Sequence, residues 1–249
     1  MTSPSASRQA ELAEALARVR ARLATAVAAA GRDLDDVALL PVTKFFPASD
    51  VIGLQNLGCT EFGESREQEA ARKVAEVDSV LPDTTIRWHM IGRIQRNKAR
   101  AVATWAAAAH SVDNVALVAA LARGAVAALE LGLRSEPLQV YIQVSLDGDP
   151  ARGGVSVQHP DEVDELCAAA KAADGLQLAG LMAIPPLASD PDSEFARLQD
   201  ELHRVQTHYQ QPLGLSAGMS SDVEIAVKYG STCVRVGTAL MGPRPLTSP

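Results

Sequence analysis

The sequence predicts a single α/β domain, a (β/α)8 TIM-type barrel with one extra helix at its N-terminus. Three observations predict it. Short apolar runs alternate with helical periodicity about eight times. The length of 249 residues is usual for such a barrel. No Pro- or Ser-rich linker divides the chain into two domains. A doubly wound open sheet is the alternative, because alternation alone does not separate closed from open sheets. Hydrophobic residues make up 47% and aromatics only 4%, with many apolar positions occupied by Ala. Ala-rich helices packed around a sheet suit that balance better than an all-β sandwich.

Residues 1–6 are expected to be a disordered tail. Leu12, Leu16, Val19, Leu23 and Val27 then form one helical face, and Gly31 is a plausible stop. The run 37–43 is short, apolar and closed by Lys44-Phe-Phe-Pro47, which marks a buried strand. A helix near 48–57 ends at Gly58. A short strand at 59–62 leads into Gly63-Glu-Ser-Arg-Glu-Gln-Glu-Ala70, a loop entering a polar-faced helix. The next strand is 86–91, turned by Gly92, with a helix over 95–105. A strand at 108–112 follows, and Asp113 is expected to cap a helix reaching about 130. In the strand at 138–144, Val140, Ile142 and Val144 alternate. A Gly-rich loop ending at Gly154 leads to a helix at 160–173. The strand 176–182 ends at Ile184-Pro-Pro186, and the helix after Asp190 shows Phe195, Leu198, Leu202 and Val205 on one face. A brief strand at 213–215, a helix at 221–229 and a last strand at 232–236 complete the alternation.

The formal net charge of −7 argues against broad nucleic-acid or anionic-membrane binding, while leaving room for a local cationic pocket. Cys59, Cys167 and Cys233 are far apart, odd in number and without metal-ligand spacing, which predicts no metal site and a cytoplasmic, reducing setting. No apolar stretch is long enough to span a bilayer, and no signal-peptide core precedes a cleavage site.

Lys44 is the most informative residue. An amine at the carboxyl end of a buried strand is costly if it only packs, because burial disfavours its charged form. It is useful as a neutral nucleophile toward a carbonyl, so Lys44 is the first candidate for a Schiff-base lysine. In a barrel, phosphates bind at the loops after strands seven and eight. Those loops here are Leu215-Ser-Ala-Gly-Met-Ser-Ser-Asp222 and Val234-Arg-Val-Gly-Thr-Ala-Leu-Met-Gly242. They offer glycine-opened backbone N–H groups and the hydroxyls of Ser216, Ser220, Ser221 and Thr238. Without Lys44, ordinary strand-to-helix turns would be the better reading of both.

Arg235 lies in an apolar strand and needs a partner, either a barrel carboxylate or a ligand. His89 taken singly reads as a satisfied core histidine. Arg93, Arg96, Lys98 and Arg100 read as a solvated face, and Glu61, Glu64, Glu67 and Glu69 as acids near a helix start. A strand-end lysine and a two-loop phosphate cradle together suggest a phosphorylated aldehyde. Pyridoxal 5′-phosphate (PLP) is the obvious one, with Arg235 placed to meet its ring nitrogen.

At these residues the chain resembles the PLP-binding homeostasis protein family, related to the barrel domain of alanine racemases (PLP fold type III). The marks are Val42-Thr-Lys44, Phe62-Gly-Glu64, Trp88-His-Met-Ile-Gly92 with Gln95, Asn97 and Lys98, and Gly180-Leu-Met182. Leu215-Ser-Ala-Gly-Met-Ser220 with Asp222, and Arg235-Val-Gly-Thr238, complete the set, which runs from about residue 10 to 244. The resemblance implies that Lys44 forms the internal aldimine. It implies that Ser216, Gly237 and Thr238 contact the phosphate, that Arg235 faces the pyridine nitrogen and that Met219 flanks the site. Ser220 and His89 join the cofactor-binding candidates. Two departures stand out: Ser65 replaces an Asn common after Gly-Glu, and Arg152 replaces a lysine before Gly153.

An arginine at the ring nitrogen disfavours its protonation and weakens PLP as an electron sink. The resemblance adds that alanine racemases carry a C-terminal β domain supplying a tyrosine acid/base. The sequence up to Pro249 leads us to expect no such second domain, and none of Tyr141, Tyr209 and Tyr229 sits in a recognised motif. The expectation is therefore a non-enzymatic PLP carrier and regulator in vitamin B6 and amino-acid homeostasis, a monomer whose partners include PLP-dependent apo-enzymes. A weakly active amino-acid racemase and a Schiff-base aldolase are the alternatives.

Overall fold

The computed structural model describes residues 3–149, 152–186 and 189–244. Parallel strands form one continuous sheet: β1 (Ala38–Pro41), β9 (Cys233–Val236), β8 (Gly214–Ser216), β7 (Leu176–Met182), β5 (Leu138–Ser145), β4 (Ala106–Val112), β3 (Arg87–Met90) and β2 (Glu61–Glu64). The two ends meet. Val42 bridges Gly63 in parallel, and Thr43 N–H donates to the Gly63 carbonyl at 3.0 Å. The predicted closed barrel is therefore the observed one, and the open-sheet alternative falls on that seam. A two-residue strand, β6 (Val155–Ser156), pairs with β5 outside the ring.

The helices α2 (Ala48–Asn56), α3 (Glu67–Val80), α4 (Ala99–Trp105), α5 (Val115–Glu130), α6 (Pro160–Ala172), α7 (Pro191–Gln206), α8 (Val223–Lys228) and α9 (Thr238–Met241) follow their strands. Parallel strands are covered on both faces, which is why their sequences are apolar runs with little alternation. Phe62, Phe195, Leu54, Leu121 and Leu138 are fully buried in the layer between sheet and helices.

The extra helix, α1 (Ala6–Ala29), lies across α8, α9 and α2, beside the seam where the last strand meets the first. Its buried residues include all five of the predicted face. Arg8 bonds Asp50 at 2.8 Å and the Met241 carbonyl at 3.0 Å, and Arg32 donates to the carbonyls of Val227 and Ser231.

Several boundaries differ from the sequence reading. The tail is shorter than 1–6: Ser5 caps α1 by accepting from Arg8 N–H at 3.2 Å, and helix begins at Ala6; residues 1–2 lie outside the described residues. Asn114, not Asp113, caps α5, because its side chain reaches Leu117 N–H at 2.8 Å while Asp113 accepts from Asn114. The strand expected at 59–62 is shifted to Glu61–Glu64, since Gly63 and Glu64 pair with His89 and Met90. The helix expected over 95–105 opens as a single 3-10 turn, Arg96–Lys98. The helix expected at 221–229 starts at Val223, because Asp222 is held in a turn by Met219 N–H.

Candidate ligand site

All strands run parallel, so the segments following β1, β8 and β9 share the carboxyl end of the barrel. Lys44 stands there, three residues beyond β1. The backbone around it is pinned. Phe45 has φ 71°, the one non-glycine residue with positive φ among the described residues. Its N–H donates to Glu69 at 2.9 Å, and Phe46 N–H donates to the Thr43 carbonyl at 3.1 Å. Such a conformation persists only where surrounding bonds impose it.

Beneath Lys44 lies a buried polar cluster. Glu64 Oε1 accepts from Lys73 Nζ at 2.6 Å and from Thr43 Oγ1 at 2.7 Å, while Lys73 also donates to the Thr43 carbonyl at 2.8 Å. All three residues are buried. Burial pushes the Glu64 carboxyl up, and the Lys73 ammonium pulls it back. Lys44 itself is half-buried and has no hydrogen-bond or ion-pair partner among the described residues. Burial pulls its amine below the usual lysine range; the Arg244 and Arg235 cations pull the same way, and Glu64 opposes them. The result is an amine biased toward its neutral, nucleophilic form.

The loop after β8 is tied to β9 and α9. Arg235 N–H donates to the Gly218 carbonyl at 2.9 Å, and Ala239 N–H donates to Ser220 Oγ at 3.3 Å. Ser220, Gly237 and Thr238 therefore gather on one rim. Gly218 is required by the turn: its φ is +95°, and a Cβ there would lie 2.5 Å from the Ala226 Cβ. Gly218→Ala should cost about 1–3 kcal/mol. Urea unfolding should show the lower midpoint, and adding Ala226→Gly should restore part of it.

Ser216 does not join that rim. It is fully buried, and its hydroxyl is held by Arg235 Nη1 at 2.7 Å and by His110 Nδ1 at 2.7 Å. The expectation that Ser216 touches phosphate is corrected on that ground: its side chain points into the barrel. The ion-pair reading of Arg235 is corrected too. Its guanidinium donates to the Ser216 carbonyl at 2.6 Å and the Ala183 carbonyl at 3.0 Å, with no carboxylate in salt-bridge range among the described residues. A buried cation whose partners are all neutral, set beside a partnerless amine and a glycine-lined rim, fits a ligand with an electron-rich ring nitrogen, a carbonyl and a phosphate.

His89 is buried with Nδ1 2.9 Å from His110 Nε2. It lies in the barrel interior, bonded to His110. His110 and Tyr141, whose rings stack at 4.4 Å, were not singled out in the sequence. His110 carried a usable signal: it is a lone imidazole in the small-residue strand Ala-Ala-Ala-Ala-His110, as anomalous as Arg235 in its own strand. A cavity of about 750 Å³ opens beside Lys44's turn, lined in part by Phe46, Ser65, Arg93, Gln95 and Lys98. Arg93 and Lys98, expected on a solvated face, thus border a cavity. Arg152 donates to the carbonyls of Ile184 and Pro185. The three cysteines are free and buried. Among the described residues, no cluster of His, Cys, Asp or Glu could hold a metal ion, and no helix is long and apolar enough to cross a membrane.

The family model of the alanine racemase N-terminal domain matches residues 15–245. A pyridoxal phosphate homeostasis protein of Mycobacterium tuberculosis is 56% identical over 97% of this chain and 96% of its own length. The structure of PipY from Synechococcus elongatus with PLP bound superposes with a TM-score of 0.77 at 33% identity, covering 93% of this chain and 100% of that one. The alanine racemase of Corynebacterium glutamicum shares the fold, with a TM-score of 0.64 at 15% identity; 93% of this chain covers 60% of that enzyme.

Proposed function

We propose, since this chain belongs to the alanine racemase N-terminal domain family and within it to the pyridoxal phosphate homeostasis proteins, that it is a non-enzymatic carrier and regulator of PLP. When bound, PLP supplies an aldehyde that condenses reversibly with a neutral primary amine. The observation that carries the reading is the half-buried amine of Lys44, which has no hydrogen-bond or ion-pair partner among the described residues and whose pKa is pulled down by burial and by the nearby arginines. Lys44 is the covalent tether. Ser220, Gly237 and Thr238 hold the phosphate with a hydroxyl and backbone N–H donors, and Met219 flanks the ring. Arg235 donates to the ring nitrogen and keeps it unprotonated. Ser216 supports Arg235 rather than the phosphate.

Release rather than turnover follows from the side chains present. Proton abstraction next to an imine needs a positioned acid/base on each face. Tyr229 donates its hydroxyl to Asp192, and the Tyr141 ring is stacked on His110 in the barrel interior. An arginine-bound ring nitrogen also stabilises a carbanion poorly. PLP-dependent apo-enzymes are the partners this role requires. Free buried thiols suit a cytoplasmic protein, and a monomer presents the rim to such partners most openly.

The test is transfer. Holo-protein mixed with a PLP-dependent apo-enzyme should restore that enzyme's activity faster than the Lys44→Ala protein carrying the same PLP load. Equal rates would remove the carrier role. Incubation with L-alanine or L-serine, read by chiral chromatography, should give no more racemisation than free PLP; turnover above that background would make the protein a racemase.

A further inference from the structure

We propose that His110 is a positioning residue for Arg235, acting through Ser216 in a one-directional hydrogen-bond chain that crosses the barrel interior. The inference deepens the PLP reading above, because it rests on Arg235 as the partner of the ring nitrogen.

The central link of the chain joins strands that are not neighbours. His89 lies on β3, His110 on β4, Ser216 on β8 and Arg235 on β9, so β5 and β7 stand between His110 and Ser216 in the sheet. These side chains meet only because the sheet is closed and they point inward. The contacts run from Arg235 Nη1 to Ser216 Oγ at 2.7 Å, from Ser216 Oγ to His110 Nδ1 at 2.7 Å, and from His110 Nε2 to His89 Nδ1 at 2.9 Å.

Arginine fixes the direction. A guanidinium only donates, so Ser216 Oγ accepts from it. The hydroxyl still has its own proton, and the one oxygen or nitrogen acceptor bonded to it is His110 Nδ1. His110 therefore keeps a lone pair on Nδ1 and its proton on Nε2, and it donates to His89 Nδ1. That places the His89 proton on Nε2, which faces Glu61 Oε2 at 3.7 Å, beyond hydrogen-bond reach. Reversal would leave the buried hydroxyl proton of Ser216 only the weakly accepting Cys233 sulfur and aim a bare His89 lone pair at the Glu61 carboxylate. Both faults are absent in the forward direction.

The groups behind Arg235 are neutral. Burial pulls His89 down to about 3, with Arg87 adding to the effect, and pulls His110 well below its usual range, with His89 and Arg235 adding to it. A carboxylate at the position of Ser216 would also orient Arg235, but it would cancel the charge. A serine whose hydroxyl donates a hydrogen bond to His110 is a stronger acceptor and leaves the cation whole. The Arg235 guanidinium is thus aimed and undiminished. His110 contributes the acceptor, and its stacking on Tyr141 fixes the ring plane.

Two measurements decide the matter. Nitrogen-15 NMR of the histidine-labelled, cofactor-free chain should show His110 and His89 as neutral Nε2–H tautomers. A protonated Nδ1 at His110 would overturn the chain. Next, His110→Asn keeps an acceptor for Ser216, whereas His110→Leu does not. PLP loaded on the Leu variant should show a shifted visible band and an affinity lowered about tenfold, the scale of one lost hydrogen bond to a charged group. The Asn variant should keep the wild-type band. If both variants melt lower and have the same spectrum as wild type, His110 is merely structural and the proposal fails. Absence of any PLP uptake by the wild-type protein would instead remove the cofactor reading, and the NMR result would still decide the direction of the chain.

Discussion

Lys44→Ala is expected to abolish covalent retention of PLP: after borohydride reduction, mass spectrometry should find the adduct on wild-type protein and none on the variant. The expected effect is all-or-none, because no other described amine combines a strand-end position with freedom from a partner. Lys73, also buried, is fully engaged by Glu64 and the Thr43 carbonyl. The pH dependence follows from the direction of the Lys44 shift. Burial favours the neutral amine, so capture should rise with pH and level off with an apparent pKa below 10.5, the ordinary lysine value. An adduct on another lysine in the variant would show the tether to be misassigned. A capture profile with a midpoint at or above the ordinary value would remove the argument from burial.

The second large effect is expected at Lys73. Lys73→Met leaves the Glu64 carboxylate fully buried with Thr43 Oγ1 as its remaining partner. Removing one member of a buried ion pair costs about 3–5 kcal/mol, mostly as the penalty of the stranded charge. For a chain of this length that lowers Tm by roughly 10 °C. Adding Glu64→Gln should recover most of the loss, because a neutral amide replaces the stranded carboxylate. Calorimetry of the two variants checks this. If the double variant melts no higher than the single one, the pair's charge balance is not what Lys73 supplies. Lys73 also holds the carbonyl of the residue before Lys44, so PLP capture by the single variant should slow even below its melting range.

The sequence carried the barrel because local rules and the global fold agree. Apolar runs such as 37–43 and 138–144 mark strands covered on both faces, and the five-residue stripe from Leu12 to Val27 is the buried face of α1. It singled out Lys44 and the loop residues Ser220, Gly237 and Thr238 as candidates because their chemistry is odd for their local setting. Cap choice was less legible: Asp113 and Asn114 are both good caps, and only backbone geometry selects the second. Ser216 was misread for a related reason. Its neighbours Gly218 and Ser220 belong to a rim, but a side chain at the last residue of a strand can point to the rim or to the interior. The closed sheet aims it inward, at His110.

By itself, then, the sequence determined a parallel α/β alternation, a strand-end amine and two glycine-bearing turns that suit phosphate. Those features are local and follow from periodicity, turn chemistry and the cost of burying charge. Tertiary structure alone decided how the buried charges are balanced. Closure through Val42 and Gly63 brings β4 opposite β8, so His110 meets Ser216 across 106 residues of sequence. It gives Arg235 neutral partners in place of a carboxylate, and it pairs Lys73 with Glu64 while leaving Lys44 without one. Partnership between charges depends on distances of a few ångströms between strands far apart in sequence, and only the closed barrel sets those distances.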